Sequence, residues 1–214
     1  MHLFEYCLLF YSRMRIIFIA MEKKKFFNTR MIATTGVLLG VEIILQVIGN
    51  YIVIPGGFAN LNFSLIIITL GAILYGPLVG GFLGLVSGAL TLFAPSTISY
   101  FFAVSPVGTI LTCLIKTTAA GVVAGFIAKA LKNKNDLLGS ILASIASPIA
   151  NTGLFCVFCV IFFKQRLLEI NPNNTAAALF LGLIGVNFIF EIIVNVIMVP
   201  SLYKITLHID THEH

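Results

Sequence analysis

Charged residues are scarce in this chain, and tryptophan is absent from its 214 residues. Only 10% of the residues are Asp, Glu, Lys or Arg, while 59% are hydrophobic; a soluble domain usually carries about 25% charged residues. The mean hydropathy is +1.06, and four cysteines are too few for a disulfide scaffold. The polar surface is therefore too small for a water-soluble enzyme. The charges also argue against a nucleic-acid-binding protein. The net charge is +5, but the basic residues lie between apolar runs and form no basic face.

Groups that carry catalysis are missing from the apolar part of the sequence. The four histidines lie near the two ends of the chain, and no aspartate lies inside an apolar run. This excludes a zinc-binding H-E-x-x-H motif, a histidine base for serine catalysis and an intramembrane pair of aspartates. The sequence also contains no G-x-x-x-x-G-K-[ST] loop for ATP. We therefore predict no enzyme activity, no cofactor and no metal site.

Six apolar runs make up most of the chain and predict an all-α, polytopic membrane protein with six transmembrane helices. A hydrocarbon core of about 30 Å needs about 20 apolar residues in a helix. The runs cover residues 31–49, 63–75, 78–94, 106–130, 137–163 and 176–203. The second run is too short to cross unless the bilayer thins or the helix lies at a slant. We predict a membrane domain over residues 26–206 and a C-terminal tail over 207–214.

The basic residues predict the orientation of these helices. Ten of the thirteen Lys and Arg residues precede the first run, join the fourth run to the fifth, or follow the sixth. Because cytoplasmic segments carry an excess of Lys and Arg, we predict that both termini are cytoplasmic. The links 50–62, 95–105 and 164–175 then face outward, and the first two of these carry no charge.

The first 25 residues are interpreted as an N-terminal cytoplasmic segment. Residues 1–20 are aromatic and basic but lack the small-residue cleavage site of a signal peptide. The segment Met21-Glu22-Lys23-Lys24-Lys25 is typical of a cytoplasmic start. We expect Met21 to be the initiator, so that residues 1–20 are not translated, or at most form an interfacial stretch.

Polar side chains recur on single faces of four of the predicted helices. Glu42, Lys116 and Glu191 are ionisable, and each costs about 2.5–3.5 kcal/mol at a helix centre, so each should face the bundle interior. Helical spacing adds neighbours to each face. The resulting stripes are Glu42, Gln46 and Asn50 in the first run; Thr109, Thr112 and Lys116 in the fourth; Ser144, Ser147 and Asn151 in the fifth; and Asn187, Glu191 and Asn195 in the sixth. The second and third runs contribute almost none.

Two interpretations of the stripes remain open. The polar groups can bond to one another across the bundle, with a Lys116–Glu191 ion pair among them, or they can line a cavity for a small polar molecule. We favour the cavity, because several stripes begin near the uncharged outer links. In that case Lys116 would pair with a ligand carboxylate. The candidate ligand-binding residues are Glu42, Gln46, Asn50, Lys116, Asn151, Asn187 and Glu191.

Glycines at four-residue spacing form a second pattern. They are Gly76, Gly80, Gly84 and Gly88 around the third run, Gly121 and Gly125 in the fourth, and Gly36 and Gly40 in the first. Such faces let helix backbones approach closely in lipid. We expect most of them to serve internal packing. Gly36 and Gly40, on the cytoplasmic half of the first helix, are predicted instead to receive a partner helix.

Six short segments occur along the chain in a characteristic order. They are Asn28-Thr29-Arg30, Leu70-Gly71-Ala72-Ile73-Leu74-Tyr75-Gly76-Pro77-Leu78, Ser105-Pro106-Val107-Gly108-Thr109, Asn151-Thr152, Val186-Asn187 with Glu191, and Val199-Pro200. In this order and spacing, over about residues 26–203, the chain resembles the substrate-binding S component of energy-coupling factor (ECF) vitamin transporters.

The resemblance implies six helices and a water-soluble vitamin bound on the outer side by the first, fourth, fifth and sixth helices, with the first outer loop as a lid. It also implies a bacterial cytoplasmic membrane location. The partners it implies are a transmembrane coupling protein and two ATPase subunits, which accounts for the missing ATP-binding loop. Family members have a small-residue A-x-x-x-A face on the first helix that meets the coupling protein, and Gly36 and Gly40 stand there in this chain.

The pantothenate group is the part of the family that the chain resembles most. The resemblance rests on Pro106-x-Gly108-Thr109 and Asn151-Thr152. Lys116 would suit the pantothenate carboxylate, and it would also suit folate; riboflavin carriers share the scaffold. The alternative function is a stand-alone proton- or sodium-coupled secondary transporter of a small polar metabolite, with Glu42 and Glu191 as the relay.

Overall fold

The computed structural model describes residues 29–51, 62–132, 135–170 and 185–212, and within these ranges the chain is helical and contains no strand. The helices are α1 (Thr29–Tyr51), α2 (Ser64–Tyr75), α3 (Pro77–Thr91), α4 (Pro106–Leu131), α5 (Asp136–Phe162), α6 (Lys164–Ile170) and α7 (Gly185–His212), with a π-helical segment, Thr97–Phe102, between α3 and α4. The all-α prediction is confirmed, and the first five apolar runs match α1 to α5 to within three residues at each end.

Several predicted segments lie outside the described residues. These are the N-terminal segment 1–25 with Met21, the predicted lid in the link 50–62 for residues 52–61, and residues 176–184 of the sixth run. At the other end, α7 continues to His212. The helix therefore includes most of the residues that were predicted to form a tail.

The chain divides into two compact units, residues 1–36 and 37–214. In the first unit the described residues form the opening turns of α1, where the Thr34 hydroxyl donates to the carbonyl oxygen of Arg30 at 2.9 Å. The second unit contains the rest of α1 and all the later helices.

Four of the described helices are long and apolar enough to cross a membrane. They cover Thr29–Asn50, Pro106–Leu131, Asp136–Phe162 and Asn187–Lys204. Their apolar side chains are largely exposed, as at Phe126 in α4 and Ile161 in α5. An apolar helix surface of this kind is suited to lipid. The chain is therefore a multi-pass membrane protein.

The two shorter helices, α2 and α3, follow each other through a tight turn. They have 12 and 15 residues, which correspond to about 18 and 23 Å. Gly76 joins them with a φ of +90°, a conformation that favours glycine. Pro77 then begins α3 at a position where its missing N–H costs nothing.

Helix α2 lies at the centre of the second unit. Nine consecutive residues of α2, from Ser64 to Ala72, are buried, and the helix packs against α3, α4, α5 and α7. A helix that is apolar on all sides is typical of such an interior position. Its neighbours therefore shield this segment from lipid, and the expectation that it thins the bilayer or lies at a slant stays a prediction.

The glycine stripe of α3 packs against α4. A Cβ atom added at Gly80 would lie 2.6 Å from the Gly121 carbonyl oxygen, and one at Gly88 would lie 2.5 Å from the Cys113 carbonyl oxygen. A Cβ at Gly84 would collide with the carbonyl oxygen of Thr117. Since a side chain at any of these positions would force the two backbones apart, the predicted internal packing role is confirmed.

Side-chain caps fix where α4 and α5 begin. The Ser105 hydroxyl accepts from the Gly108 amide at 3.2 Å, with Pro106 in the first turn. The Asn135 side chain accepts from the Leu138 amide at 3.1 Å. Ser and Asn are favoured at this position because their oxygens satisfy an amide that has no partner within the helix.

Candidate functional site

A partly enclosed cavity lies in the second unit, between α1, α3, α4, α5, α7 and the π-helical segment. Its volume open to the centres of water molecules is about 100 Å³. A water takes a share of about 30 Å³ in the liquid, so the centres of about three waters fit this space.

Six of the seven predicted ligand-binding residues line this cavity. They come from four helices and are Gln46, Asn50, Lys116, Asn151, Asn187 and Glu191. The seventh, Glu42, is not among the lining residues. It is fully buried on α1, one turn before Gln46. The six lining residues are thus brought together, and the role of all seven as ligand contacts stays a prediction.

Opposite charges face each other across the cavity. The ammonium nitrogen Nζ of Lys116 lies 4.8 Å from the centre of the Phe155 ring, a cation–π contact. Glu191 is buried on α7, where the charge of Lys116 and the backbone amide of Asn62 both act on its carboxylate. The cavity therefore offers one cation for a ligand anion and one carboxylate for a ligand donor.

The amide of Asn151 has an unused acceptor. Asn151 is buried on α5, and no donor among the described residues reaches its oxygen Oδ1. A buried polar atom without a partner costs about 1–3 kcal/mol. A hydroxyl or N–H group of a bound molecule would remove this cost.

Thr91 of α3 also lines the cavity, and among the described lining residues it is the only polar one from the second and third runs. The side-chain nitrogen Nε2 of Gln46 donates to the Thr91 hydroxyl at 3.3 Å and to Asn50 Oδ1 at 3.2 Å. The Ser87 hydroxyl donates to Gln46 Oε1 at 3.3 Å. The spacing of Ser87 and Thr91, one helical turn apart, was a usable signal in the sequence.

Aromatic rings form an apolar wall that sequence reasoning missed. Phe101 lies edge-on to Phe155 and Phe163, with ring centres 5.8 and 5.1 Å apart, and all three line the cavity. Phe101 belongs to the π-helical segment, which also brings Thr97 to the cavity. With 19 phenylalanines in the chain, no pattern in the sequence distinguishes these three.

Comparisons with known proteins identify the family. The chain is 41% identical over 93 residues to an uncharacterised protein of Pyrococcus woesei described as a protein in a gap 3'region; the match covers 43% of this chain and 56% of that relative. The chain thus spans about half the length of the relative. No solved structure matches the chain. The model of the family "ECF transporter, substrate-specific component" matches residues 30–203, so the chain belongs to the family of substrate-specific components of ECF transporters, which are membrane transport subunits and not enzymes.

Proposed function

We propose that this chain binds pantothenate in the cavity and delivers it to an ATP-driven energy-coupling module. The family supports uptake of a vitamin-type substrate. The observation that carries the finer assignment is the convergence of Lys116, Glu191 and Asn151 on one cavity beside an aromatic wall. These groups offer a cation, an anion and a neutral acceptor within the reach of one small molecule.

The chemistry of pantothenate is complementary to these groups. Its carboxylate pairs with Lys116, and its hydroxyl and amide hydrogens are donated to Glu191 and Asn151. Its methyl groups contact the rings of Phe101 and Phe155. Folate also carries carboxylates, and riboflavin is polar, but both are larger multi-ring molecules. A cavity volume of about 100 Å³ favours the compact ligand.

We propose that six helices cross the membrane with both termini in the bacterial cytoplasm. The cavity lies at the C-terminal end of α1 and at the N-terminal half of α4, which begins at Pro106. Lys129 and Lys132 lie at the other end of α4, where the positive-inside rule favours the cytoplasm. The cavity then opens to the outside, as a subunit that captures a nutrient requires.

The transmembrane coupling protein and its two ATPase subunits are proposed to dock through the small-residue face of α1. Gly36 and Gly40 are exposed. A Cβ added at either of them would meet no atom of the described residues within 4 Å. They differ in this from the glycines of α3, which lie against the backbone of α4. A helix of a partner can therefore approach the backbone of α1 at these positions.

Replacing Gly40 or Gly36 by leucine is expected to abolish uptake and to leave vitamin binding unchanged. The leucine side chain would hold the partner helix away from α1, while the cavity lies elsewhere. Binding is measured by calorimetry on the purified chain, and uptake in proteoliposomes that contain the complete transporter. Gly153→Leu, on the surface of α5 with no described atom within 4 Å of the new Cβ, is the control and should keep both functions. Loss of pantothenate binding in Gly40→Leu would contradict the docking role.

A stand-alone secondary transporter is the second candidate function. It is favoured by two buried carboxylates, Glu42 and Glu191. Ionisable groups inside membrane helices often mark proton or ion pathways. In this case the chain would need no ATPase.

Uptake of labelled pantothenate is expected only in proteoliposomes that contain this chain, the coupling protein and both ATPase subunits. ATP must be present on the side of the membrane that the ATPase subunits face. The reason is that no part of this sequence carries an ATP-binding loop. Vesicles with this chain alone, tested under an imposed proton or Na⁺ gradient, should accumulate none. Accumulation in those vesicles would instead establish the secondary transporter.

A further inference from the structure

Glu42 is a buried carboxyl group that the ligand cavity does not use. It is 0% exposed, and it is absent from the cavity lining. Neither of its oxygens, Oε1 or Oε2, forms a hydrogen bond with the described residues. A charged group in this state costs far more than a neutral polar group. Its position therefore requires a compensating partner.

The hydroxyl groups near Glu42 have few hydrogens to donate. Ser87 lies beside the carboxyl group, but its single hydrogen is shared with Gln46 Oε1 at 3.3 Å and with the Ser64 oxygen at 2.6 Å. The Thr91 hydroxyl donates to the Ser87 carbonyl oxygen at 2.8 Å, so it can only accept from Gln46 Nε2. This fixes the orientation of the Gln46 amide, with its oxygen toward Ser87. The Ser87–Thr91–Gln46 group therefore offers Glu42 at most the one shared hydrogen of Ser87.

The oxygen of Ser64 adds to this concentration of acceptors. The Ser64 and Ser87 oxygens lie 2.6 Å apart and share a hydrogen, and the Ser64 oxygen is also within hydrogen-bond reach of Asn62 Oδ1. Glu42, Ser64, Ser87 and Gln46 thus bring together carboxylate, hydroxyl and amide oxygens in the membrane interior. Oxygen ligands of this kind suit hard cations, and a protonated carboxyl can donate to the remaining lone pairs of Ser87.

The basic side chain of the interior is engaged elsewhere. Apart from Glu42, the charged residues near the middle of the described helices are Lys116 on α4 and Glu191 on α7, and both line the cavity. Lys116 lies over Phe155 and acts on Glu191. We infer that Glu42 binds a monovalent cation, H⁺ or Na⁺, at a site separate from the ligand cavity, with Ser87 and Gln46 as its neighbouring oxygen groups.

Gln46 couples this site to the cavity. Its oxygen accepts from Ser87 at the Glu42 side, and its nitrogen donates to Thr91 and Asn50, which line the cavity. A cation at Glu42 changes the charge next to Ser87 and therefore the bond that Ser87 makes to Gln46. The cation site and the ligand cavity then influence each other's affinity, as linkage requires.

The site is tested on the purified full-length chain without any vitamin. Two measurements distinguish the cations: binding of radioactive ²²Na⁺, and the infrared carbonyl band of a protonated carboxyl group at neutral pH. The wild type is expected to show one of these signals, and Glu42→Gln to lose it. Glu169→Gln, which removes an exposed carboxylate on α6, is the matched control and keeps the signal. If Glu42→Gln does not fold, Ser87→Ala replaces it and should weaken Na⁺ binding about tenfold or shift the infrared band.

Absence of both signals in the folded wild type would overturn the proposal. A signal that Glu42→Gln leaves intact would overturn it equally, because the cation would then lie at Glu191 or elsewhere. A second arm measures pantothenate affinity at varied Na⁺ concentration and pH. We expect a change of about tenfold in the wild type and none in Glu42→Gln. Only this second measurement rests on the proposed function. If the chain does not bind pantothenate, the cation measurements on the vitamin-free protein still decide whether Glu42 binds a cation.

Discussion

Lys116→Ala is expected to weaken pantothenate binding by at least about tenfold, because it removes the cation of the cavity. The loss of one partner from a buried charge pair typically costs 2–5 kcal/mol. The ligand carboxylate would enter a cavity whose remaining charged group is the carboxylate of Glu191. The affinity is measured by isothermal titration calorimetry on the purified chain.

Lys129→Ala is the matched control for this substitution. Lys129 lies on α4, the same helix as Lys116, but it is exposed near the other end. The two variants lose the same charge from the same helix, so a difference between them reports the location of the charge. Unchanged pantothenate affinity in a folded Lys116→Ala protein would remove Lys116 from the binding site.

Gly84→Ala is expected to lower the free energy of unfolding by about 1–3 kcal/mol or more, the usual range for overpacking. The added methyl group collides with the carbonyl oxygen of Thr117. A backbone atom of α4 cannot turn aside as a side chain can, so the two helices must separate. The midpoint of thermal unfolding in detergent should fall by about 2–4 °C for each kcal/mol lost.

Gly153→Ala is the control for the stability measurement. Gly153 lies in the interior of α5, as Gly84 lies in the interior of α3, but a Cβ at Gly153 meets no described atom within 4 Å. Its stability should equal that of the wild type or exceed it by up to about 1 kcal/mol, because alanine favours a helix interior over glycine. Equal stability of Gly84→Ala and Gly153→Ala would contradict the close packing of α3 against α4.

The helices could be predicted from the sequence because the bilayer imposes their length and composition. The apolar run 106–130 corresponds to α4 (Pro106–Leu131), with Ser105 and Pro106 marking its start. The polar stripes were equally informative, since a four-residue spacing such as that of Gln46 and Asn50 places both side chains on one face. Because burial of polar groups in lipid is costly, these faces had to meet in the interior.

Which residues line the site depends on how the helices pack, and this packing could not be predicted from the sequence. Glu42 and Gln46 occupy the same face of α1, and only the position of α3 decides that Gln46 reaches the cavity while Glu42 lies beyond it. Phe101 enters the wall through a π-helical segment, a local geometry with no signature in its composition. Thr91 of α3 was not singled out, because Ser87 and Thr91 are small and stand among glycines.

The central position of α2 has a consequence for how the protein is assembled. This helix covers about 18 Å, and it depends on α4, α5 and α7 to cover its sides. All three are synthesised after it, and α7 is the last of the described helices. The early part of the polypeptide must therefore remain in the membrane until α7 is made before its innermost helix is enclosed, so a chain that ends before α7 leaves that helix exposed to lipid or to quality-control proteases.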